Sequence, residues 1–226
     1  MKLYQTATGD YWLPDPGNDC VLHAIINGLV WDGDLVSYIQ SCSKINDVIL
    51  DVGGNFGQMA VLFSKMVPQG QVHVFEADPF IYSTMVKNIE QNGCNNVKTY
   101  QSAVWHETGL DLFYPKADFT RFESYGSYGI DPLAKSGQAI KSLTIDSLAL
   151  PWVDLIKVDI QGSDLNAMKG AVNTISKFRP TIVFEYESLF NEQFKVDWQD
   201  YQNFIDQIGY EITHVVDHVN FVIESK

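Results

Sequence analysis

Cysteine is scarce in this sequence, which has Cys20, Cys42 and Cys94 in 226 residues. Three scattered cysteines are too few for a disulfide framework and lack the paired spacing of a zinc site. Long apolar runs are also missing, since no stretch approaches the roughly 18 consecutive apolar residues of a membrane-spanning helix. The first residues, MKLYQTATGDYWLPD, contain no apolar segment typical of a signal peptide. We therefore expect a soluble, cytoplasmic protein that does not act on a membrane.

Positive charge is in short supply as well. The chain has 15 Lys and Arg against 28 Asp and Glu, which gives a formal net charge of -13 at pH 7. Nucleic acids and anionic membranes are bound through clustered Lys and Arg, so the composition argues against both as partners. A length of 226 residues suits one α/β domain with an elaboration better than two domains.

From residue 48 onward, segments typical of strands and helices alternate. The predicted strands cover residues 48–52, 71–77, 96–104, 153–160 and 180–187, and the segments 210–217 and 220–225 follow them. Between the last two there is no room for a crossover helix, so they must pair antiparallel. The pattern predicts a Rossmann-like α/β fold, with a mostly parallel seven-stranded sheet that ends in an antiparallel C-terminal hairpin.

The predicted helices follow apolar periodicity and capping residues. Asp78 and Pro79 start one helix as N-cap and first residue. Ser163 is expected to cap another, a single helix in which Leu165, Met168, Val172 and Ile175 share a buried face.

Two regions depart from this alternation. Residues 1–46 form an appendage or cap before the main domain, 47–226, and its segment YWLPDPGNDC is rich in turn residues and suggests a hairpin. Residues 105–150 form an excursion rich in aromatic residues, which is expected to serve as a lid over a substrate. Its aromatic residues are Phe113, Tyr114, Phe119, Phe122, Tyr125 and Tyr128, with Arg121 among them.

Small and polar residues gather where the predicted parallel strands end. In such sheets, ligands bind at the carboxyl ends of the strands, often over a helix N-terminus. We predict a nucleoside site there, built from Asp51, Gly53, Gly54, Asn55, Gly57, Glu76, Ala77, Asp78, Ser102 and Ala103. A structural alternative stays open for each feature, since glycines also serve tight turns and Asp78 also serves as a helix cap.

The loop spacing bears on which nucleoside binds. The run Gly-Gly-Asn-Phe-Gly does not match the G-x-G-x-x-G of dinucleotide sites. The chain also lacks a Tyr-x-x-x-Lys pair and a Walker A pattern. S-adenosylmethionine fits better, with its ribose on Glu76 and its amino-acid end over the glycine loop near Asp51.

Several segments together resemble a known family, the FkbM-type methyltransferases. They are ILDVGGNFG, VFEADP, SAV, DLIKVDIQGSDLNAMKGA and PTIVFE, within residues 47–187. The resemblance implies a class I methyltransferase fold and an S-adenosylmethionine-dependent enzyme that methylates a hydroxyl of a sugar, a glycan or a small metabolite. The family usually shows D-x-E-G after the fourth strand, whereas Gln161 stands here in place of the glutamate.

A hydroxyl is a poor nucleophile at neutral pH and needs a base or a metal. Asp159 and Glu185 end the fourth and fifth predicted strands, and we expect them either to bind a divalent cation such as Mg²⁺ or to supply the base. The alternatives that stay open are that Asp159 only caps the following helix or contacts the cofactor amine, and that Glu185 only faces solvent. Lys157 should point to the same side as Asp159. The rival bases are the histidines: His23, His73, His106, His214 and His218.

Two functions of other classes stay open. One is a nicotinamide-dependent oxidoreductase. The other is a non-catalytic nucleoside-binding module, which is supported by Gln161 in place of the glutamate of the family motif. The sequence leaves the acceptor atom, the metal requirement and the oligomeric state undecided.

Overall fold

The computed structural model of the chain describes residues 1–115, 123–134 and 137–226, so Phe119, Arg121 and Phe122 of the predicted lid lie outside the described residues. The strands are β1 (Lys2–Gln5), β2 (Asp10–Leu13), β3 (Val48–Val52), β4 (Gln71–Glu76), β5 (Val97–Gln101), β6 (Ala103–Val104), β7 (Asp111–Tyr114), β8 (Gln138–Leu143), β9 (Leu155–Val158), β10 (Thr181–Glu185), β11 (Tyr210–Val216) and β12 (Asn220–Ser225). The helices are α1 (Cys20–Ile26), α2 (Gly33–Cys42), α3 (Gln58–Met66), α4 (Pro79–Gln91), α5 (Asp164–Lys169), α6 (Val172–Phe178), α7 (Asn191–Phe194) and α8 (Trp198–Gln207). Short 3-10 helices cover Tyr125–Ser127, Ile145–Leu148 and Ser188–Phe190.

Seven strands form the central sheet, in the order β11-β12-β10-β9-β3-β4-β5. The run from β10 to β5 is parallel, and β12 pairs antiparallel with both β10 and β11. The predicted fold class is therefore confirmed. Helices cover both faces, because Ile49 packs in a cluster with Phe63 of α3, and the next residue, Leu50, packs with Ile175 of α6.

The order of the strands explains where a site can form. Strand β3 lies between β4 and β9. After β3 the chain adds β4 and β5 on one side of it, and it later returns to add β9 and β10 on the other side. A crevice opens at such a point, outside the carboxyl ends of the strands. The residues that follow β3, β4, β9 and β10 therefore meet at one edge, although they are far apart in sequence.

The third predicted strand and the helix after Ser163 differ from expectation. Strand β5 ends at Gln101, and β6 pairs with β8 in a small separate sheet with β7. The predicted single helix is split into α5 and α6, and Val172 is 37% exposed instead of sharing the buried face. The split is stabilised by Asp146, whose carboxylate accepts the backbone N–H groups of Asn173 and Thr174 and so caps α6.

The appendage begins with a hairpin, as predicted, but at a different place. Its strands β1 and β2 pair antiparallel, from Lys2 with Leu13 to Gln5 with Asp10. The turn therefore covers residues 6–9, and the turn-rich segment at Pro14 follows the hairpin. No helix in the described parts of the chain is both long and apolar enough to cross a membrane.

Candidate active site

The glycine loop after β3 is shaped by close backbone packing. Gly53 and Gly54 both donate their N–H groups to the carbonyl of Phe75, at 3.0 and 2.9 Å. Gly53 has a φ of 91°, and a Cβ atom there would overlap the carbonyl oxygen of Asp159. Glycine is therefore required at position 53 for the loop to lie against the end of β9.

A buried ion pair lies beneath this loop. Asp51 is fully buried, and its strand partner across the sheet is Lys157 of β9. The Lys157 ammonium lies 3.3 Å from Asp51 Oδ1 and 3.4 Å from Asp159 Oδ2, and it donates to the carbonyl of Gly53 at 3.0 Å. Burial disfavours this cation, but the carboxylates of Asp51 and Asp159 outweigh burial and raise the pKa of Lys157. Lys157 therefore stays charged and ties β3, β9 and the loop together.

A first cavity opens above the ends of β3, β4 and β9. Its walls are largely apolar and include Ile81, Val104, Tyr114 and Ile130, and it encloses about 640 Å³ that is partly open to solvent. Glu76 ends β4 on the cavity wall. Such a mostly apolar cleft with few polar groups is the usual form of a small-molecule site.

Glu76 is held in place by two backbone groups. Its Oε1 accepts the N–H of Asp78 at 2.8 Å, and its Oε2 accepts the N–H of Asn55 at 3.0 Å. A carboxylate has about four acceptor positions, so two remain for a ligand. Burial raises the pKa of Glu76 to about 7, against the lowering effect of these hydrogen bonds. Hydrogen bonds donated to Glu76 by hydroxyl groups of a ligand would therefore favour the anionic form of Glu76.

A second cavity lies beside the first and shares Gly53, Asn55, Asp159 and Gln161 with it. Gln161 has a left-handed backbone with φ of 54°. Its amide Nε2 donates to Asp159 Oδ1 at 3.4 Å and to Glu185 Oε2 at 3.2 Å. The residue that departs from the family motif thus bridges the two predicted catalytic carboxylates.

Burial and neighbouring charge raise the pKa of two carboxyl groups near this bridge, Glu185 and Asp164. Burial, followed by the charge of Asp159, raises the pKa of Glu185 to about 10, so Glu185 is neutral at pH 7. Burial also raises the pKa of Asp164 to about 7, with Asp159 again contributing. Asp159 is 24% exposed and has Lys157 beside it. Of the two predicted catalytic residues, Asp159 is therefore the one suited to carry negative charge.

The predicted site residues fall into three groups. Those lining the first cavity are Gly53, Asn55, Glu76, Ala77, Ser102, Ala103 and Asp159. Those lining the second are Gly53, Gly54, Asn55, Asp159 and Glu185. Asp51, Gly57 and Asp78 line neither. Instead, Asp51 pairs with Lys157, Gly57 packs on Met85, and Asp78 caps α4 by accepting the N–H of Ile81.

Histidines are not part of either cavity wall in the described chain. His73 is buried between Tyr100 and Gln71, and burial lowers its pKa to about 4. His106 contacts Asn166, and His214 stacks on Tyr38. The geometry therefore favours none of these rivals as the base.

Several lining residues have no signal in the sequence. Trp31 and Asp32 reach the second cavity from the appendage, and Glu187 reaches it from beyond β10. Residues 124–130 cover the loop, because Gly126 lies against the Asn55 amide and Gly129 against Gln161. The repeated glycine in SYGSYG is a signal for close packing, but it does not reveal the partner.

A metal site is not apparent in the residues that the structure describes, where no group of three or more His, Cys, Asp or Glu is arranged to hold an ion. The Gln161 amide lies between Asp159 and Glu185, which were expected to share a cation.

Comparisons with known proteins agree with the fold. The model of the methyltransferase FkbM domain matches residues 51–212. Methyltransferase 1 of Beauveria bassiana is 26% identical in an alignment 158 residues long, which covers 59% of this chain and 64% of that protein. Hexuronic acid methyltransferase AglP of Haloferax volcanii is 23% identical in an alignment 162 residues long, which covers 70% of this chain and 64% of that protein. The crystal structure of methyltransferase FkbM from Methylobacillus flagellatus superimposes with a TM-score of 0.54 at 18% identity, over 81% of this chain and 44% of that one. This chain thus spans less than two thirds of each relative.

Proposed function

The chain belongs to the FkbM methyltransferase family, and we propose that it transfers a methyl group from S-adenosylmethionine to a hydroxyl of a sugar, a glycan or a small metabolite. The observation that best supports this proposal is the junction at Asp159, where the largely apolar cavity beside Glu76 meets a second cavity. The Haloferax relative, whose name records hexuronic acid methylation, supports a carbohydrate as the class of acceptor.

The first cavity suits the adenosine part of the donor. The free acceptor positions of Glu76 would take the ribose hydroxyls, and the apolar wall at Ile81 and Val104 would pack on the adenine. Ser102 and Ala103 lie on the same wall, although the Ser102 hydroxyl already donates to the carbonyl of Lys141. The amino-acid end would extend over Gly53 and Asn55, which line both cavities.

Methyl transfer from a sulfonium requires mainly that the protein align the methyl group with the acceptor hydroxyl. Bound there, S-adenosylmethionine supplies a sulfonium methyl group that forms a bond to the acceptor oxygen while the electron pair of its bond to sulfur leaves with the sulfur. Asp159 takes the hydroxyl proton, since its carboxylate lies where the two cavities meet and is 3.4 Å from the Lys157 ammonium. Gln161 fixes the orientation of Asp159 by donating to it and to the neutral Glu185. A divalent cation is no part of this proposal, because the Gln161 amide already bridges Asp159 and Glu185, the two residues expected to share one.

We also propose that the two irregular regions enclose the reacting groups. Residues 1–46 would cap the second cavity through Cys20, Val21, Ile25, Trp31 and Asp32, all of which line it. Residues 105–150 would cover the first cavity through Tyr114, Tyr125 and Tyr128. The two regions are joined where Asp19 accepts the N–H of Tyr125 at 2.8 Å. Enclosure excludes water, which favours methyl transfer over side reactions.

The Asp159→Asn variant tests the assignment of the base. We expect turnover, measured as S-adenosylhomocysteine release, to fall by about 10²- to 10⁴-fold, the usual contribution of a general base. Cofactor affinity, measured by calorimetry, should change far less. The exposed Asp206→Asn variant serves as the control and should leave both unchanged. An equal loss of turnover and affinity would instead assign Asp159 to cofactor binding.

A further inference from the structure

The second cavity is acidic, although one of its carboxyl groups, that of Glu185, is neutral at pH 7. Four carboxyl groups line it, those of Asp32, Asp159, Glu185 and Glu187, and they come from the appendage, the end of β9 and the end of β10. Lys157 is the one cationic side chain among its described lining residues. It is 2% exposed and is already shared between Asp51, Asp159 and the carbonyl of Gly53. The described lining therefore offers no positive charge to a ligand.

The carboxyl groups already repel one another. Burial raises the pKa of Asp32 to about 6, and the charges of Asp159 and Asp217 add to the effect. Burial and Asp159 likewise raise the pKa of Glu187. An additional anion in this cavity would meet the same repulsion, and like charges inside a protein interact more strongly than they do in water.

The uncharged features of the cavity suit a polyhydroxyl compound. Ser124 and Ser127 line it and offer hydroxyl groups, and the carboxylates accept hydrogen bonds from ligand hydroxyls. Trp31 lies on the wall and is 38% exposed, and an indole ring of this kind can pack on the apolar face of a sugar.

We propose, on the basis of the function proposed above, that the acceptor is an uncharged sugar or its glycoside and that this cavity rejects uronates and phosphorylated sugars. The chain would then differ from its Haloferax relative, which is named for hexuronic acid, in the charge of the compound it takes. Rejection by repulsion is a common basis of specificity, because it lowers the affinity for the wrong ligand without strengthening the right one.

A matched pair of acceptors tests this inference. 4-Nitrophenyl β-glucoside and 4-nitrophenyl β-glucuronide differ only at carbon 6, where the second bears a carboxylate. At pH 8 and saturating S-adenosylmethionine, we expect kcat/KM for the glucoside to exceed that for the glucuronide by about ten-fold or more, which corresponds to one close like-charge contact.

Substitution at Asp32 links the preference to the cavity wall. Asp32→Asn should lower the ratio of kcat/KM for the glucoside to kcat/KM for the glucuronide. It should do so by raising kcat/KM for the glucuronide, because it removes one negative charge from the lining. Asparagine also tolerates the left-handed backbone at this position, where φ is 52°. Asp34→Asn is the control, since Asp34 is exposed and lies outside this cavity. It should leave the ratio unchanged.

Two results would overturn the inference. One is a glucuronide used as well as or better than the glucoside by the unmodified protein. The other is a ratio that Asp32→Asn and Asp34→Asn leave equally unchanged. Either result, with S-adenosylmethionine still bound in calorimetry, would leave the proposed function standing. Loss of cofactor binding itself would instead contradict the proposed function.

Discussion

Lys157 connects the glycine loop, the buried Asp51 and the proposed base Asp159. It is a fully buried cation that holds two carboxylates and one loop carbonyl within 3.0 to 3.4 Å. Two of the groups it holds, Asp51 and Gly53, belong to β3 and its loop, and the third, Asp159, follows β9. A single side chain therefore holds both Gly53, which lines the two cavities, and the proposed base Asp159.

Replacing Lys157 with methionine should strand Asp51 without a counter-charge. Removal of one partner of a buried ion pair typically costs about 3–5 kcal/mol. We expect a loss of that size in the free energy of unfolding, measured by urea denaturation. Lys141→Met provides the control, because Lys141 pairs with Asp111 at 2.8 Å while both side chains are more than half exposed. Such exposed pairs contribute about 0–1 kcal/mol, so equal losses in the two variants would contradict this role of Lys157.

Among the secondary-structure elements, α4 connects the appendage to the sheet through two asparagines. Asn88 is fully buried, accepts the N–H of Trp12 at 2.6 Å, and donates to the carbonyls of Trp12 and Phe56. One turn later, Asn92 accepts the N–H of Asp10 and donates to its carbonyl. The two amides thus pair with the backbone of β2 as a neighbouring strand would, and they fix the hairpin on the helix.

Asn88→Ala should release this hairpin. Three hydrogen bonds are lost, and buried backbone groups of Trp12 and Phe56 remain without these partners, at a cost of about 1–3 kcal/mol each. Hydrogen exchange of β1 and β2 should accelerate more than exchange in β3 and β4. Asn95→Ala, at an exposed position just beyond α4, is the matched control. Uniform acceleration throughout the chain would argue against a local attachment.

The elements also show what the sequence can and cannot predict. Strands such as β3 and β9 were predictable because burial on both faces leaves a local apolar run, and the start of α4 was predictable because Asp78 and Pro79 are adjacent to it. The division between α5 and α6 was not, since the cap of α6 is Asp146, which lies outside the helix segment. The pairing of β6 with β8 is equally non-local.

The same distinction applies to the candidate site. The carboxyl ends of successive strands could be predicted to converge, and the structure has Glu76 and Asp159 on the first cavity and Asp159 and Glu185 on the second. The burial of Asp51 away from both cavities could not be predicted from the sequence, because its partner Lys157 lies 106 positions later in the chain. Asp32 reaches the second cavity only through the docking of the appendage, for which the sequence has no local pattern.

At the scale of the whole molecule, acidity dominates the electrostatics. The net charge is -13, and several carboxyl groups have a raised pKa, to about 6 for Asp32 and to about 7 for Glu76 and Asp164. In the unfolded chain these groups titrate near pH 4. Between about pH 4.5 and 7 the folded state therefore binds more protons than the unfolded state, and the free energy of unfolding falls as pH rises. The raised pKa of Lys157 adds no slope here, since its contribution persists to well above neutral pH.

The ligand-free protein should accordingly melt at a higher temperature at pH 5.5 than at pH 8. For a chain of this length, each kcal/mol of difference corresponds to roughly 2–4 °C in the melting temperature. Scanning calorimetry across this range measures the slope directly. Asp164→Asn should flatten it, because that variant removes one of the raised groups. A melting temperature that is constant or that rises toward pH 8 would contradict the assigned pKa directions.

The most direct test of the account is calorimetric titration of the protein at pH 8 with S-adenosylmethionine and, separately, with NAD. We expect the first to bind and NAD not to bind, with no change on adding Mg²⁺. Glu76→Gln should weaken S-adenosylmethionine binding by about 1–3 kcal/mol, because the ribose hydroxyls lose a carboxylate acceptor. The exposed Glu90→Gln variant should bind as the unmodified protein does. Absence of S-adenosylmethionine binding, or binding of NAD in its place, would contradict the central claim.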